Sequence, residues 1–259
     1  MASTENNSIA RKQNFYTKWL LPLFVKPART TGEIVAQEKP VWLTPLIILS
    51  VLAIVMVLIA APIQRTQIQM GNNLPPDFQY YTPEQQAQFY QAQANQTSFL
   101  FLYVFPALSG LLKIWVPWFL LSIVLYLMLT LAGSRASSTR SYNLVAWSML
   151  PFAIRFLVQM GIMLFSKSLI TSPGLSGFID SEATGLAAYF RSMLGYIDIY
   201  FIFQVVLLVL GAIQLSGLTK VKTILVTLGS VLILLFLVAI PGLLSSALSG
   251  LSLTRGFYF

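Results

Sequence analysis

Apolar and polar positions along this chain separate into long blocks instead of the short alternating periods of a soluble domain. The clearest block runs from about Trp42 to Ala61, carries no charge, and lies between Pro40 and Pro62. About 20 apolar residues at ~1.5 Å rise each match a hydrocarbon layer of ~30 Å. This block predicts a first membrane-spanning helix at 42–61. From Ser98 to Ala132 the apolar run is longer than a bilayer needs; Pro106 and Pro117 are expected to kink it, and Lys113 punctuates it. The second span is expected at 113–132, with the preceding turns lying at the interface. A third is expected at 142–165 with Pro151 and Arg155 inside it, a fourth at 196–216 and a fifth at 223–244.

Ahead of the first span, apolar and basic positions alternate from Phe15 to Val41, and Pro22 and Pro27 cut the stretch into pieces too short to cross. Thr30 and Glu33 have capping-box spacing, which predicts a short helix from Thr31 to Glu38. Such a segment lies among lipid headgroups with its lysines toward water. Lys18, Trp19, Lys26, Arg29 and Lys39 are therefore candidate interfacial or cytosolic contacts. Residues 63–97 form a Gln-rich connection in which Thr82-Pro83-Glu84-Gln85 predicts a helix start, with a polar helix running toward Gln96. A second polar connection, 167–195, is expected to hold a short helix at Leu186–Leu194. The expected fold is all-α: a polytopic membrane protein, a bundle of five transmembrane helices with a short amphipathic N-terminal segment. In domain terms this is a cytosolic flank at 1–40, a membrane domain at 41–249 and an extracytoplasmic tail at 250–259.

Composition sharpens this picture. Of 259 residues, 56% are hydrophobic and 9% charged, against roughly 25% charged in soluble domains, so lipid must solvate much of the surface. The chain has no Cys and no His. That excludes thiol nucleophiles, disulfides, Cys/His zinc sites and imidazole acid–base chemistry. No GxxxxGK[ST] or GxSxG motif is present, and Asp198 alone among the carboxylates falls in a predicted span, so paired intramembrane aspartates are excluded. The expectation is a protein that is not an enzyme and holds no cofactor or metal.

The net charge of +8 does not argue for nucleic acid, because the charges gather at the ends of apolar runs, where they set orientation. The N-terminal flank carries Arg11, Lys12, Lys18, Lys26, Arg29 and Lys39; the loops after the second and fourth spans add Arg135, Arg140, Lys220 and Lys222. The opposite side has Arg65, Lys167, Arg191 and Arg255, spread over longer loops. The expected topology has a cytoplasmic N-terminus and an extracytoplasmic C-terminus, and the lack of Cys is in keeping with a prokaryotic inner membrane. The polar N-terminus lacks the apolar core of a signal peptide, so the first span is expected to act as its own insertion signal.

Charges inside the spans need an account, since an ionisable group at the bilayer centre costs at least ~2.5 kcal/mol on insertion scales. Counting along the predicted spans puts Lys113, Arg155 and Asp198 in the outer half of the bilayer. Asp198 is expected to pair with Arg155, with Lys113 nearby and Gln159 and Gln204 adding polar contacts. Three roles fit: a lock on helix packing, a lining for a solute or ion path, or plain snorkelling of the charges to the interface.

The fourth and fifth spans read Asp198-Ile199-Tyr200-Phe201-Ile202-Phe203 and then Leu210-Gly211-Ala212-Ile213-Gln214-Leu215-Ser216-Gly217-Leu218-Thr219-Lys220. This pattern resembles the prokaryotic branch of the Yip (Ypt-interacting protein) family. The stretches Pro27-Ala28-Arg29-Thr30, Lys39-Pro40-Val41-Trp42-Leu43-Thr44-Pro45, Gly133-Ser134, Ser141-Tyr142 and Ala146-Trp147-Ser148-Met149-Leu150-Pro151 are similar too. The resemblance covers roughly residues 25–245 and implies five spans with a cytosolic N-terminus. Eukaryotic members bind Rab-type GTPases and act in vesicle traffic and membrane shaping, but their Asp-Leu-Tyr-Gly-Pro motif is absent here, which argues against a Rab-type partner. Some prokaryotic members are thought to accompany ABC-type exporters. The functional expectation is a non-catalytic scaffold or accessory subunit that binds membrane-protein partners or copies of itself, or organises the bilayer. The alternative is a transporter or channel subunit that uses the Arg155/Asp198 cluster.

Overall fold

The computed structural model describes residues 15–69, 78–180 and 183–248, with 243–248 as backbone alone. Residues 1–14 of the expected cytosolic flank, and the expected tail at 250–259, lie outside the described residues. All regular structure among the described residues is helical. A 3-10 turn at Thr17–Trp19 precedes α1 (Pro22–Val25) and α2 (Pro27–Val35); α3 (Leu43–Gln69) follows, then α4 (Pro83–Gln96). After them come α5 (Phe105–Leu131), α6 (Ser138–Ser148), α7 (Pro151–Ser166), α8 (Gly185–Leu194), α9 (Ile199–Ser216) and α10 (Lys220–Leu248). Five helical stretches are long and apolar enough to cross a membrane: Leu43–Gln69, Leu100–Leu131, Ser138–Ser166, Ile199–Ser216 and Lys220–Gly242.

Prolines shape these helices in three different ways. Pro62, expected to end the first span, sits inside α3, which continues to Gln69. Pro106 is absorbed by a π-helical segment at Leu100–Val104, where the Phe105 N–H reaches back five residues to the Leu100 carbonyl. The wider turn accommodates the proline. The result is one helical run of about 48 Å at 1.5 Å per residue from Leu100 to Leu131, where the sequence divides it near Lys113. At Pro151 the helix does break: Leu150, Phe152 and Ala153 donate three residues back, to Trp147, Met149 and Leu150. Proline removes one donor and crowds the carbonyl a turn earlier, so α6 and α7 form a single span with a tightened joint.

The bundle core joins Leu46 and Leu49 of α3, Trp118, Leu121 and Leu125 of α5, Leu144 and Val145 of α6, Leu208 and Ala212 of α9, and Leu234 of α10. A second buried cluster ties the N-terminal segment to the bundle: Trp19, Leu23, Ile34 and Val41 meet Trp147, Leu150 and Leu207. α2 packs against α6 and α9. Gln214 of α9 donates to the Ala28 carbonyl at 2.7 Å and lies hard against Gly32. The amphipathic segment is thus a fixed part of the bundle.

Helix ends follow local chemistry. α2 starts at Pro27, earlier than the Thr30/Glu33 pair suggests: Thr30 Oγ1 donates to the Lys26 carbonyl at 3.0 Å, leaving its own helix uncapped. Proline in the first turn, where its missing N–H would be unpaired anyway, is the stronger start signal. At α4 the capping box forms in full, with Thr82 and Gln85 exchanging bonds of 3.3 and 2.9 Å. α5 ends in a Schellman turn: Ser134 N–H reaches the Leu129 carbonyl at 2.9 Å, and Gly133 takes φ +98°. α8 covers α10, where the Tyr189 hydroxyl donates to the Phe236 carbonyl at 2.9 Å.

Candidate functional site

Asp198 stands at the start of α9 in extended conformation, and its Oδ1 accepts the Phe201 N–H at 2.8 Å. A carboxylate in that position is stabilised by the cap bond and by the positive end of the helix dipole. Its second oxygen, Oδ2, lies 3.2 Å from Arg155 Nε, and the two side chains are only 16% and 19% exposed. Arg155 projects from the first turns of α7, and its guanidinium lies 5.8 Å from the Phe152 ring centre. The predicted pair therefore exists, and the carboxylate is satisfied from two sides.

The other members of the predicted cluster do not join the pair. Lys113 is exposed on α5, near enough to feel the Arg155 charge but without an ion pair among the described residues. Gln159 is half-buried on α7, and Gln204 is buried on α9. Neither amide hydrogen-bonds to the pair among the described residues. Among the described residues the contact is one carboxylate closed on one guanidinium.

The basic N-terminal segment is divided between buried and exposed positions. Trp19 is 2% exposed, stacked on Tyr16 at 5.3 Å and edge-on to Trp147 at 5.4 Å. Its Nε1 donates to Glu33 Oε2 at 3.2 Å, so the ring belongs to the core and is withdrawn from any partner. Arg29 Nε holds the same carboxylate at 3.0 Å. The Arg29 and Trp19 hydrogen bonds keep the Glu33 carboxyl below its usual range. Lys18, whose ammonium lies 4.7 Å from the centre of the Trp19 ring, is exposed, as are Lys26, Arg29 and Lys39.

Sequence reasoning missed two features here. Leu21, which precedes α1, and Val25 at its end are 79% and 75% exposed between Lys18 and Lys26; their i, i+4 spacing was the available signal. Arg135 and Arg140, counted only as orienting charges, line one pocket with Glu38, Ser137 and Thr139.

These features define an all-helical, multi-pass membrane protein of the bundle type. The Yip1 domain model matches residues 22–240, and the chain belongs to the Yip1-domain family. The match begins at Pro22, so α1 and α2 fall within it. No curated protein matches the chain, and no solved structure does.

Proposed function

We propose that this protein is a non-catalytic scaffold or accessory subunit of the inner membrane that acts from the cytosolic leaflet. The basic-residue bias places its N-terminus inside. In this reading Leu21 and Val25 enter the acyl layer of the cytosolic leaflet. Lys18, Lys26, Arg29 and Lys39 face acidic groups of lipids and of a membrane-protein partner. The observation that carries the reading is the docking of the N-terminal segment on α6 and α9. Trp19 and Leu23 are buried while Leu21 and Val25 are left bare between lysines. A helix fixed to its bundle with an apolar edge and a basic rim has the form of an interfacial anchor.

The test is purification in mild detergent through a C-terminal tag, comparing the wild type with a Lys18→Gln, Lys26→Gln, Arg29→Gln, Lys39→Gln variant. A stoichiometric membrane-protein partner that is kept by the wild type and lost by the variant is expected. A wild type that purifies without any partner contradicts the accessory-subunit role.

A further inference from the structure

The loop from α5 to α6 holds two arginines around one open pocket, and the first turn of α6 beside it carries buried polar atoms without partners among the described residues. The Schellman turn at Gly133 fixes the loop, and Ser134 Oγ accepts the Ala136 N–H at 3.2 Å, so the approach to α6 is rigid. Arg135, Ser137, Thr139, Arg140 and Glu38 line a pocket of about 380 Å³, a size in the range of small-ligand sites, ~300–1,000 Å³. Ser137, at the cap of the 11-residue α6, makes no capping bond. The first N–H groups of the helix, which have no partner one turn back, are therefore not satisfied by that side chain.

Arg140 shows the same incompleteness. Its Nη2 meets Glu38 Oε1 at 3.1 Å, but its Nε is buried with no hydrogen-bond partner among the described residues, as is the Oγ of the next residue, Ser141. Nearly all buried polar atoms in folded proteins are paired, and an orphaned donor costs more than a typical hydrogen bond contributes. The Glu38 carboxylate is exposed, and exposed ion pairs contribute ~0–1 kcal/mol. An anion able to reach both edges of the Arg140 fork can displace it.

We infer that this pocket binds a phosphate group through Arg135, Arg140 and the N-terminal amides of α6, with Glu38 as the internal anion it displaces. Guanidinium forks match phosphate oxygens in pairs, and a helix N-terminus favours an anion. Ser137 and Thr139 supply hydroxyl donors at the rim. The phosphate comes either from an anionic lipid headgroup or from a soluble phosphate, and the pocket chemistry is common to both. The inference needs neither the partner nor the leaflet assigned above, so it stands or falls separately.

The experiment measures the melting temperature of the full chain in a non-ionic detergent, at constant ionic strength. One arm adds inorganic phosphate against chloride; the other adds phosphatidylglycerol against phosphatidylcholine. A saturable upward shift is expected with at least one phosphate probe. Arg135→Gln, an exposed position that should not disturb folding, is expected to weaken binding about tenfold, the effect of one charge-assisted hydrogen bond. Arg140→Gln should weaken it further, and Glu38→Gln should tighten it. A shift with phosphatidylglycerol alone assigns the site to a headgroup, and a shift with inorganic phosphate assigns it to a soluble anion. No shift with either probe, or equal shifts in wild type and Arg135→Gln, overturns the proposal.

Discussion

Asn143, fully buried on α6, closes the turn that leads into α3 by bonding to Val41. Its Oδ1 accepts the Val41 N–H at 2.8 Å, and its Nδ2 donates to the Lys39 carbonyl at 2.9 Å. Trp147, one turn on, donates to the Val41 carbonyl at 3.1 Å. Two side chains of α6 thereby satisfy the backbone that joins the N-terminal segment to the first long helix. These bonds, with the buried cluster around Trp19 and Trp147, make the dock and the bundle one unit.

Replacing Asn143 by Leu leaves the buried Val41 N–H without its partner and removes the bond to the Lys39 carbonyl. At ~1–3 kcal/mol for the orphaned buried group, the melting temperature in mild detergent should fall by about 2–10 °C for a chain of this size. A melting temperature within a degree of the wild type would show that the junction is held by other contacts.

The Arg155–Asp198 pair calls for a double-mutant cycle. Asp198→Asn keeps a good N-cap residue but removes the charge, leaving a mostly buried guanidinium unpaired, a change that is strongly destabilising in closed sites. The loss should be larger with Arg155 present than in an Arg155→Met background, by about 1 kcal/mol or more. Equal losses in the two backgrounds would remove the pair from the account of packing.

Gly211 lets α6 and α9 touch. A Cβ there would collide with Leu144, itself buried. Gly211→Ala should cost ~1–3 kcal/mol through overpacking, and adding Leu144→Ala should return part of it. Chemical denaturation of the four variants measures both numbers, and additive losses would contradict the contact.

Glu33 makes a pH prediction. Its folded-state value is held below the usual 4.5 by Arg29 and then Trp19. A depressed carboxylate contributes stability that is fully present above the unfolded value and lost as pH falls through the folded one. The melting difference between wild type and Glu33→Gln should stay constant from neutral pH down to about 5. It should shrink below 4.5. A difference that grows on acidification would reverse the assignment.

The long apolar runs made the five crossing helices legible, because each had to approach a bilayer's thickness with few charges inside it. The Arg155–Asp198 pair was legible for a related reason: charges inside apolar runs must find each other. Helix limits were harder to read. Pro62 looks like a boundary and Pro106 like a kink, yet α3 runs through the first and a π segment absorbs the second. The fate of Trp19 was hidden as well, since its partners Trp147 and Glu33 depend on how the segment lies across α6. Asn143 and Gln214 work through residues more than 100 positions away, and no local pattern announces such bonds. The Arg135/Arg140 pocket escaped because a basic loop already had an explanation as an orientation signal.

The central claim is that α1 is seated at the membrane surface as part of the bundle. The chain has no cysteine, so single spin labels at Leu21, Val25, Lys26 and Arg29 can be placed without background and their depths measured by power saturation in lipid bilayers. The account predicts high oxygen and low nickel-chelate accessibility at Leu21 and Val25, with the reverse at Lys26 and Arg29. Equal access of the water-soluble relaxant to all four positions would contradict it.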